Sequence, residues 1–257
     1  MLAEERQKRI MQELYEHQSV KIADLIERLQ VTRETIRKDL YDLEKKNVIR
    51  KVHGGAVLNK ANFETKYVSR KAVNEPEKRA IARKAATFVE ENDIVYIDYG
   101  TTALYLTQEL ILLHKKLTIV TNSLAIANEV VDGSEFELIM IGGHVRRNER
   151  STFGPIATRT MNELFVDIGF FSAGAVHPDH GYTSIHLGEA EVSRLMLNHS
   201  QKQIMMIDYS KYGTVHMNRI SKTEEIEWLV TDEKADPEML ETIKTKTKNV
   251  LVATSEV

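Results

Sequence analysis

Apolar side chains recur at helical spacing near the start of the chain. Ile10 and Leu14 lie one turn apart and predict a first helix over residues 3–17. A second and a third short helix follow, with Thr32 as a favoured N-cap residue between them, and their apolar positions are Ile22, Leu25, Ile26 and Leu29, then Ile36, Leu40 and Leu43. The tight turn between these two helices predicts a helix-turn-helix at about residues 20–39.

Residues 48–58 contain two β-prone runs on either side of Gly54 and Gly55. Two glycines supply the positive φ that a two-residue hairpin loop requires. We therefore expect a β-hairpin wing, which completes a winged helix-turn-helix domain over residues 3–58.

The pattern changes after residue 58. Residues 59–74 are polar and predict a linker, and residues 75–91 predict a helix with Pro76 in its first turn. Seven short apolar runs follow, most of them separated by helical patterns, at residues 94–97, 117–120, 137–141, 168–173, 204–207, 228–230 and 250–252. This alternation predicts an α/β domain with a largely parallel sheet over residues 75–257.

Charge is divided unevenly between these regions. The 257 residues carry 35 Lys and Arg against 38 Asp and Glu, a net charge of −3, which excludes a uniformly basic DNA-coating protein. Residues 1–57 carry a net +2 and the remainder a net −5, so the positive charge lies at one end. The chain has no cysteine, which excludes disulfides, thiolate zinc sites and cysteine nucleophiles. With no apolar run long enough to span a membrane, we expect a soluble, cytoplasmic protein.

Outward-facing residues of the third helix are the candidate DNA contacts. The recognition helix of a winged helix-turn-helix enters the major groove with its N-terminal residues nearest the bases, and the wing reaches phosphates or the minor groove. The candidates are Arg33, Thr35, Arg37, Lys38 and Tyr41 on the helix, and Arg50, Lys51 and His53 on the wing. The alternative is a protein-interaction module with a solvated basic face.

Hydroxyl, small and polar residues follow three consecutive predicted strands. Parallel strands bring their carboxyl ends to one edge of the sheet, where helix N-termini supply unpaired N–H groups that favour phosphate. The sequence therefore predicts an anion site formed by Asp98, Gly100, Thr101, Thr102, Thr121, Asn122, Ser123, Gly142 and Gly143. Helix capping alone is the alternative for each loop taken separately.

Both halves of the chain resemble one known family. The stretch VTRETIRKDLYDLEKKNVIRKVHGGAV is similar to the DNA-binding domain of the DeoR family of bacterial sugar-operon regulators. Similar to the family's sensor domain are IDYGTT, TNS, IGG, Gly154, Gly181, Glu189, DYSKYG with Lys211, and Thr231-Asp232. The chain departs from the family at Lys38, which replaces an arginine and cannot form its bidentate fork, and at Tyr99, which replaces a serine.

The resemblance implies a function and a fold. It implies a repressor of a carbohydrate-utilisation operon, released by a phosphorylated sugar effector, with a sensor related to ribose-5-phosphate isomerase. Glu189 would accept hydrogen bonds from sugar hydroxyls, and Lys211 would pair with phosphate or with Asp98, with a surface salt bridge as the alternative for each. We expect a homo-oligomer on double-stranded operator DNA, since linked modules gain effective concentration.

An isomerase-like enzyme fused to a DNA-binding domain is the alternative function. Isomerisation needs a carboxylate base near the substrate carbon, and residues 168–176 contain no acid where the isomerases carry two aspartates. We therefore expect binding without turnover, with no catalytic residue and no cofactor. His177 and His180 are three residues apart beside Pro178, and without thiolates we expect no metal site there.

Overall fold

The computed structural model describes residues 3–17, 19–45, 49–58, 67–114 and 116–254. The chain divides into two compact units, residues 1–65 and residues 66–257, which are described separately below.

The first unit packs three helices against a small antiparallel sheet. Its elements are α1 (Ala3–His17), β1 (Ser19–Lys21), α2 (Ile22–Leu29), α3 (Arg33–Lys45), β2 (Ile49–Val52) and β3 (Gly55–Leu58). The strand order is β1-β3-β2, and all the predicted apolar positions of the three helices, except half-exposed Ile22 and Ile26, are buried in its core. Gln30 adopts the left-handed conformation that ends α2, and the N–H of Thr35 donates to Oγ1 of Thr32 at 3.3 Å. The predicted helix-turn-helix, with its cap at Thr32, is confirmed.

The wing is present, but its two glycines have different roles from those predicted. The two-residue loop is His53-Gly54, and of the two glycines only Gly54 has a positive φ, at +81°. Gly55 is the first residue of β3, where an added Cβ would lie 2.0 Å from the carbonyl oxygen of Val20 on β1. Gly55 is therefore required by the close approach of β1, a strand that the sequence pattern did not reveal.

The second unit is built on one seven-stranded parallel sheet. In chain order, its strands are β4 (Ile94–Ile97), β5 (Thr118–Thr121), β6 (Glu137–Met140), β9 (Val166–Ser172), β12 (Ser200–Ile207), β14 (Trp228–Asp232) and β15 (Asn249–Ala253). Their order in the sheet is β15-β14-β12-β9-β4-β5-β6. Each of the seven predicted apolar runs forms one of these strands, so the predicted fold class is confirmed.

Helices cover both faces of this sheet. They are α4 (Tyr67–Lys71), α5 (Glu75–Ala86), α6 (Thr101–Leu113), α7 (Leu124–Gly133), α8 (Pro155–Met161), α9 (Leu187–Asn198) and α10 (Pro237–Lys244). Val95 and Ile97 pack into one core with α5, α6 and α7, whereas Tyr96 packs into the other with α8, α9 and α10. Side chains alternate between the two faces of a strand, which explains this division. Among the described residues, no helix combines the length and the hydropathy needed to cross a bilayer.

Several elements differ from the expected pattern. The segment predicted to be a linker contains α4, while its residues 59–66 lie outside the described part of the chain. Helix α5 ends at Ala86, five residues earlier than predicted. Two small antiparallel sheets were not predicted: the hairpin of β7 (His144–Arg146) and β8 (Ser151–Phe153), and a sheet of β10 (Ala175–His177), β11 (Gly181–Ser184) and β13 (Asn218–Ser221).

Candidate nucleic-acid interface and effector site

The predicted DNA contacts lie on the surface of the first unit. On α3, Arg33, Arg37 and Lys38 are exposed, Tyr41 is 49% exposed, and Thr35 is half-buried. On the wing, β2 carries Arg50 and Lys51, the turn carries His53, and all three are exposed. Arg37 forms a 3.2 Å ion pair with Glu34, but its side chain is 55% exposed. Such a surface pair contributes at most about 1 kcal/mol, so a phosphate or a base can displace it.

Tyr41 and Lys51 join the wing to the recognition helix. The ammonium groups of Lys45 and Lys51 each lie 5.0 Å from the centre of the Tyr41 ring. Lys51 also pairs with Glu44 at 2.8 Å, and its backbone N–H donates to the same carboxylate at 2.9 Å. These hydrogen bonds lower the pKa of Glu44. Tyr41 and Lys51 therefore fix the position of the wing as well as facing solvent.

A buried ion pair that the sequence did not reveal holds α3 in place. Asp39 is 2% exposed and pairs with Arg6 of α1. It lies on the apolar face of α3, between Ile36 and Leu40, and an acid at such a position was the available signal. Asp39 is a structural residue that orients the recognition helix against α1.

Replacing Asp39 with alanine should destabilise the first unit by about 3 kcal/mol, because the change removes the buried carboxylate that pairs with Arg6. Urea unfolding of the full chain, followed by circular dichroism, measures this loss. Asp42→Ala, at a half-exposed position of the same helix, is the control and should cost less than about 0.5 kcal/mol. Equal losses in the two variants would contradict a structural role for the Asp39–Arg6 pair.

In the second unit, the predicted loops meet at one edge of the parallel sheet. Strands β9, β4, β5 and β6 are neighbours, and the carboxyl ends of β4, β5 and β6 lead into Asp98, Asn122 and Gly142. Helices α6 and α7 begin at this edge, directly after β4 and β5. The structure therefore brings together the predicted residues of these three loops.

Helix α6 offers the more open N-terminus of the two. Its N-cap is Gly100, which has a φ of +130° and no side chain to cap the first turn. The first N–H groups of a helix have no intrahelical acceptor, so the turn containing Thr101 and Thr102 presents donors to an anion. In contrast, α7 is capped by Ser123, whose Oγ accepts from the N–H of Ile126 at 3.4 Å.

The polar side chains after β5 are engaged within the protein. Thr121 donates through Oγ1 to the carbonyl oxygen of Ile97 at 2.7 Å. Asn122 donates through Nδ2 to the carbonyl oxygen of Thr152 at 3.0 Å, and its Oδ1 lies 3.2 Å from the hydroxyl of Tyr96. Thr121 and Asn122 are both fully buried. Their side chains are therefore committed to contacts within the protein.

Asp98 is also fully buried. Its carboxylate accepts hydrogen bonds from Ser193 Oγ at 2.8 Å, the N–H of Tyr99 at 2.9 Å and the hydroxyl of Tyr96 at 3.2 Å. Burial raises the pKa of Asp98 to about 7, although these donors lower it. The predicted pairing of Lys211 with Asp98 is absent from the described structure. Two strands away, Lys211 acts with Lys78 to hold the pKa of Asp208 below its usual range despite burial.

Glu189 lies in the first turn of α9 and forms a buried ion pair. It is 1% exposed and contacts the guanidinium of Arg146 on β7 and the hydroxyl of Ser151 on β8. Nδ1 of His186 caps the same turn by accepting from the N–H of Glu189 at 3.3 Å. The surface salt bridge considered for Glu189 is therefore replaced by a buried one. Arg146 was missed by the sequence because an unpredicted hairpin brings it to this edge.

The two glycines after β6 are not equivalent. Gly143 has a φ of +147°, and an added Cβ would lie 2.6 Å from the carbonyl oxygen of Phe153, so the hairpin requires glycine there. An added Cβ at Gly142 would meet no atom of the described residues within 4 Å. The hydroxyl of Tyr99 lies 3.4 Å from Ser184 Oγ, and the ring is buried. Gly142 thus borders open space, whereas Tyr99 is enclosed by the protein.

Both units of the chain match models of known protein domains. The model of the DeoR-like helix-turn-helix domain matches residues 6–62, and the model of the DeoR C terminal sensor domain matches residues 73–233. The chain belongs to the DeoR family. As a DeoR-family protein it is a transcriptional regulator with an N-terminal helix-turn-helix and a C-terminal sensor.

Other DeoR-family regulators are similar over almost their whole length. The HTH-type transcriptional regulator GolR of Listeria innocua is 34% identical over 233 residues, covering 90% of this chain and 91% of GolR. The lactose phosphotransferase system repressor of Staphylococcus aureus strain N315 is 34% identical over 232 residues, covering 88% and 90%. The putative aga operon transcriptional repressor of Escherichia coli O157:H7 is 28% identical over 243 residues, covering 93% and 90%.

Solved structures resemble the DeoR-family chain only distantly. Ribose 5-phosphate isomerase A from Methanocaldococcus jannaschii has a TM-score of 0.41 and 17% identity, covering 54% of this chain and 55% of the isomerase. The eIF2B beta subunit from Chaetomium thermophilum has a TM-score of 0.40 and 12% identity, covering 63% and 49%. These likenesses concern the course of the backbone, and no functional assignment is drawn from them.

Proposed function

We propose that this chain represses a carbohydrate-utilisation operon and that a phosphorylated sugar releases it. Residues 3–58 would bind double-stranded operator DNA in the cytoplasm, residues 59–74 would link the units, and residues 75–257 would bind the effector. The observation that carries the proposal is the N-terminus of α6 at the sheet edge that also holds the Glu189–Arg146 pair. The helix N-terminus suits a phosphate, and the charged pair lies at the same edge of the sheet.

The names of two relatives support repression rather than activation. One is named a repressor of a lactose phosphotransferase system and another a putative repressor of the aga operon. We carry repression over to this chain from those names. The net charge of +2 on residues 1–57 implies modest non-specific affinity for DNA. We therefore also propose a homo-oligomer that places two DNA-binding units on one operator.

We propose that the sensor binds its effector without converting it. A general base must reach the proton that it removes. Asp98 is enclosed and already accepts three hydrogen bonds, and residues 168–176 carry no acid. The comparable relatives are named as regulators, in keeping with a binding role.

The experiment that tests the effector class is a thermal-shift screen of the full chain. Pentose and hexose phosphates are compared with their parent sugars and with inorganic phosphate. At least one sugar phosphate should raise the melting temperature when its parent sugar does not, because a ligand that binds only the folded state stabilises it. A response to free sugars alone would contradict the phosphate site.

Gly142→Asp should weaken binding of the phosphorylated effector by about 20-fold. Gly142 follows β6, the second strand from β4, so an aspartate there lies roughly 10 Å from the first turn of α6, and repulsion at that distance costs about 2 kcal/mol. Gly142→Asn is the size-matched neutral control and should bind within a few-fold of wild type. Isothermal titration with the screened sugar phosphate measures both, and equal affinities would place the phosphate elsewhere.

The β7–β8 hairpin offers a physical route from the effector site to α4, at the start of the second unit. One end of it supplies Arg146 and Ser151 to Glu189. Its turn contacts α4, where the N–H of Tyr67 donates to the carbonyl oxygen of Asn148 at 3.1 Å and Arg70 pairs with buried Glu149. Helix α4 is the first described element of the second unit. We propose that effector binding shifts this hairpin and, with it, α4.

Glu149→Gln should uncouple effector binding from operator release. The amide keeps the shape of the side chain but removes the charge that holds Arg70, and coupling energies of this kind are typically about 1–3 kcal/mol. We expect the sugar phosphate to bind normally in calorimetry while operator release needs at least about fivefold more of it. Glu75→Gln, which breaks the exposed pair with Arg79 on α5, is the control and should leave release unchanged. Normal release by the Glu149 variant would argue against this route.

A further inference from the structure

Ser172 lies at the same sheet edge and belongs to none of the predicted sets of site residues. It is the last residue of β9, the strand between β4 and β12. In the sequence, the only role that Ser172 suggests is that of a nucleophile, and no nearby base is evident that would activate it. A hydroxyl that donates a hydrogen bond needs no base.

The hydroxyl of Ser172 is shielded but unsatisfied. Its Oγ is buried and has no hydrogen-bond partner among the described residues. Buried polar groups almost always have a partner, and leaving one unpaired is costly. The hydroxyl is therefore placed for a group that the protein itself does not supply.

This hydroxyl faces the N-terminus of α6. An ideal Cβ at Gly100 would lie 3.4 Å from Ser172 Oγ. The hydroxyl therefore lies beside the N-cap of α6, and glycine at this position leaves out a side chain that would contact it. Gly100 also has a φ of +130°, which favours glycine at the N-cap.

We propose that Ser172 is an effector-binding residue whose hydroxyl donates to the phosphate group of the ligand at the first turn of α6. This inference rests on the proposed function of the site. The donor set is then a hydroxyl from β9 together with the N–H groups of the first turn of α6, which suits a phosphate monoester. The site thereby gains a residue from a fourth strand of the sheet, next to the three already described.

Ser172→Ala and Ser221→Ala form a matched pair of variants for the full chain. Ser221 lies on β13, outside the parallel sheet, and its Oγ is also buried without a partner among the described residues. Both changes remove an unsatisfied hydroxyl, so both variants should melt no lower than wild type. Binding of the screened sugar phosphate and of inorganic phosphate is measured by calorimetry, and operator binding by fluorescence anisotropy.

Ser172→Ala should bind the sugar phosphate and inorganic phosphate at least about tenfold more weakly, with operator affinity unchanged, while Ser221→Ala binds both as wild type does. Wild-type affinity in the Ser172 variant would overturn the inference and leave the proposed function standing. Equal weakening in both variants would also overturn it, because the loss would then come from packing. If no sugar phosphate binds the wild type, the proposed function itself fails, and the inference fails with it.

Discussion

Arg37→Ala should weaken operator binding by at least about 30-fold. Arg37 lies on the exposed face of α3, and a guanidinium that contacts a base or phosphate typically contributes about 1–3 kcal/mol. A dimer on a two-fold operator loses this contribution twice, so the expected total is about 2–6 kcal/mol. The target is a duplex that the protein itself selects from a random library, and anisotropy at fixed salt measures the affinity.

Arg9→Ala controls for the loss of positive charge. Arg9 is exposed on α1 of the same unit, and its removal lowers the net charge by the same amount. We expect its operator affinity to stay within a few-fold of wild type, and both variants to unfold at the same urea concentration. If the two variants bind equally well, α3 is not the element that reads the DNA.

The second large effect concerns the pH dependence of stability at Asp98. Burial raises the pKa of Asp98 to about 7, above its usual value of 3.8 in an unfolded chain. An acid whose pKa is raised by folding stabilises the folded state fully at pH values below its unfolded pKa. That stabilisation is lost as the pH rises from the unfolded pKa through the folded pKa. Between pH 4 and pH 7 the wild type should therefore lose about 1.4 kcal/mol per pH unit from this group, roughly 4 kcal/mol in all.

Asp98→Asn isolates this effect, because asparagine cannot ionise and every other titrating group is shared with wild type. The free energy of unfolding of the wild type minus that of the variant should fall steadily from pH 4 to pH 7 and level off above it. Urea unfolding at a series of pH values gives this difference directly. A difference that is flat over the whole range would mean that Asp98 ionises in the folded protein as easily as in solution.

The local pattern of apolar residues was sufficient to predict the main helices and strands of both units. The seven strands of the parallel sheet follow from short apolar runs because strands buried on both faces need apolar residues at consecutive positions. The helix-turn-helix follows from the spacing of Ile36, Leu40 and Leu43 and from the cap at Thr32. In these elements, each residue's local preference agrees with its tertiary environment.

The remaining features depend on contacts between distant parts of the chain. The β7–β8 hairpin has no apolar run, so nothing in the sequence placed Arg146 against Glu189. Asn122 and Thr121 were correctly located at the sheet edge, but their engagement with Thr152 and Ile97 depends on how the loops fold back. Lys211 is separated from Asp98 because β9 lies between β12 and β4 in the sheet, and this strand order could not be derived from local pattern.

The central claim is that a phosphorylated sugar bound by the sensor unit releases operator DNA held by the first unit. It is tested most directly by titrating the sugar phosphate from the thermal-shift screen into the complex of the full chain with its selected duplex, followed by fluorescence anisotropy. The account predicts that anisotropy falls to the value of free DNA, and that the parent sugar at the same concentration leaves the complex intact. A complex that stays intact at sugar-phosphate concentrations that saturate the sensor unit would contradict it.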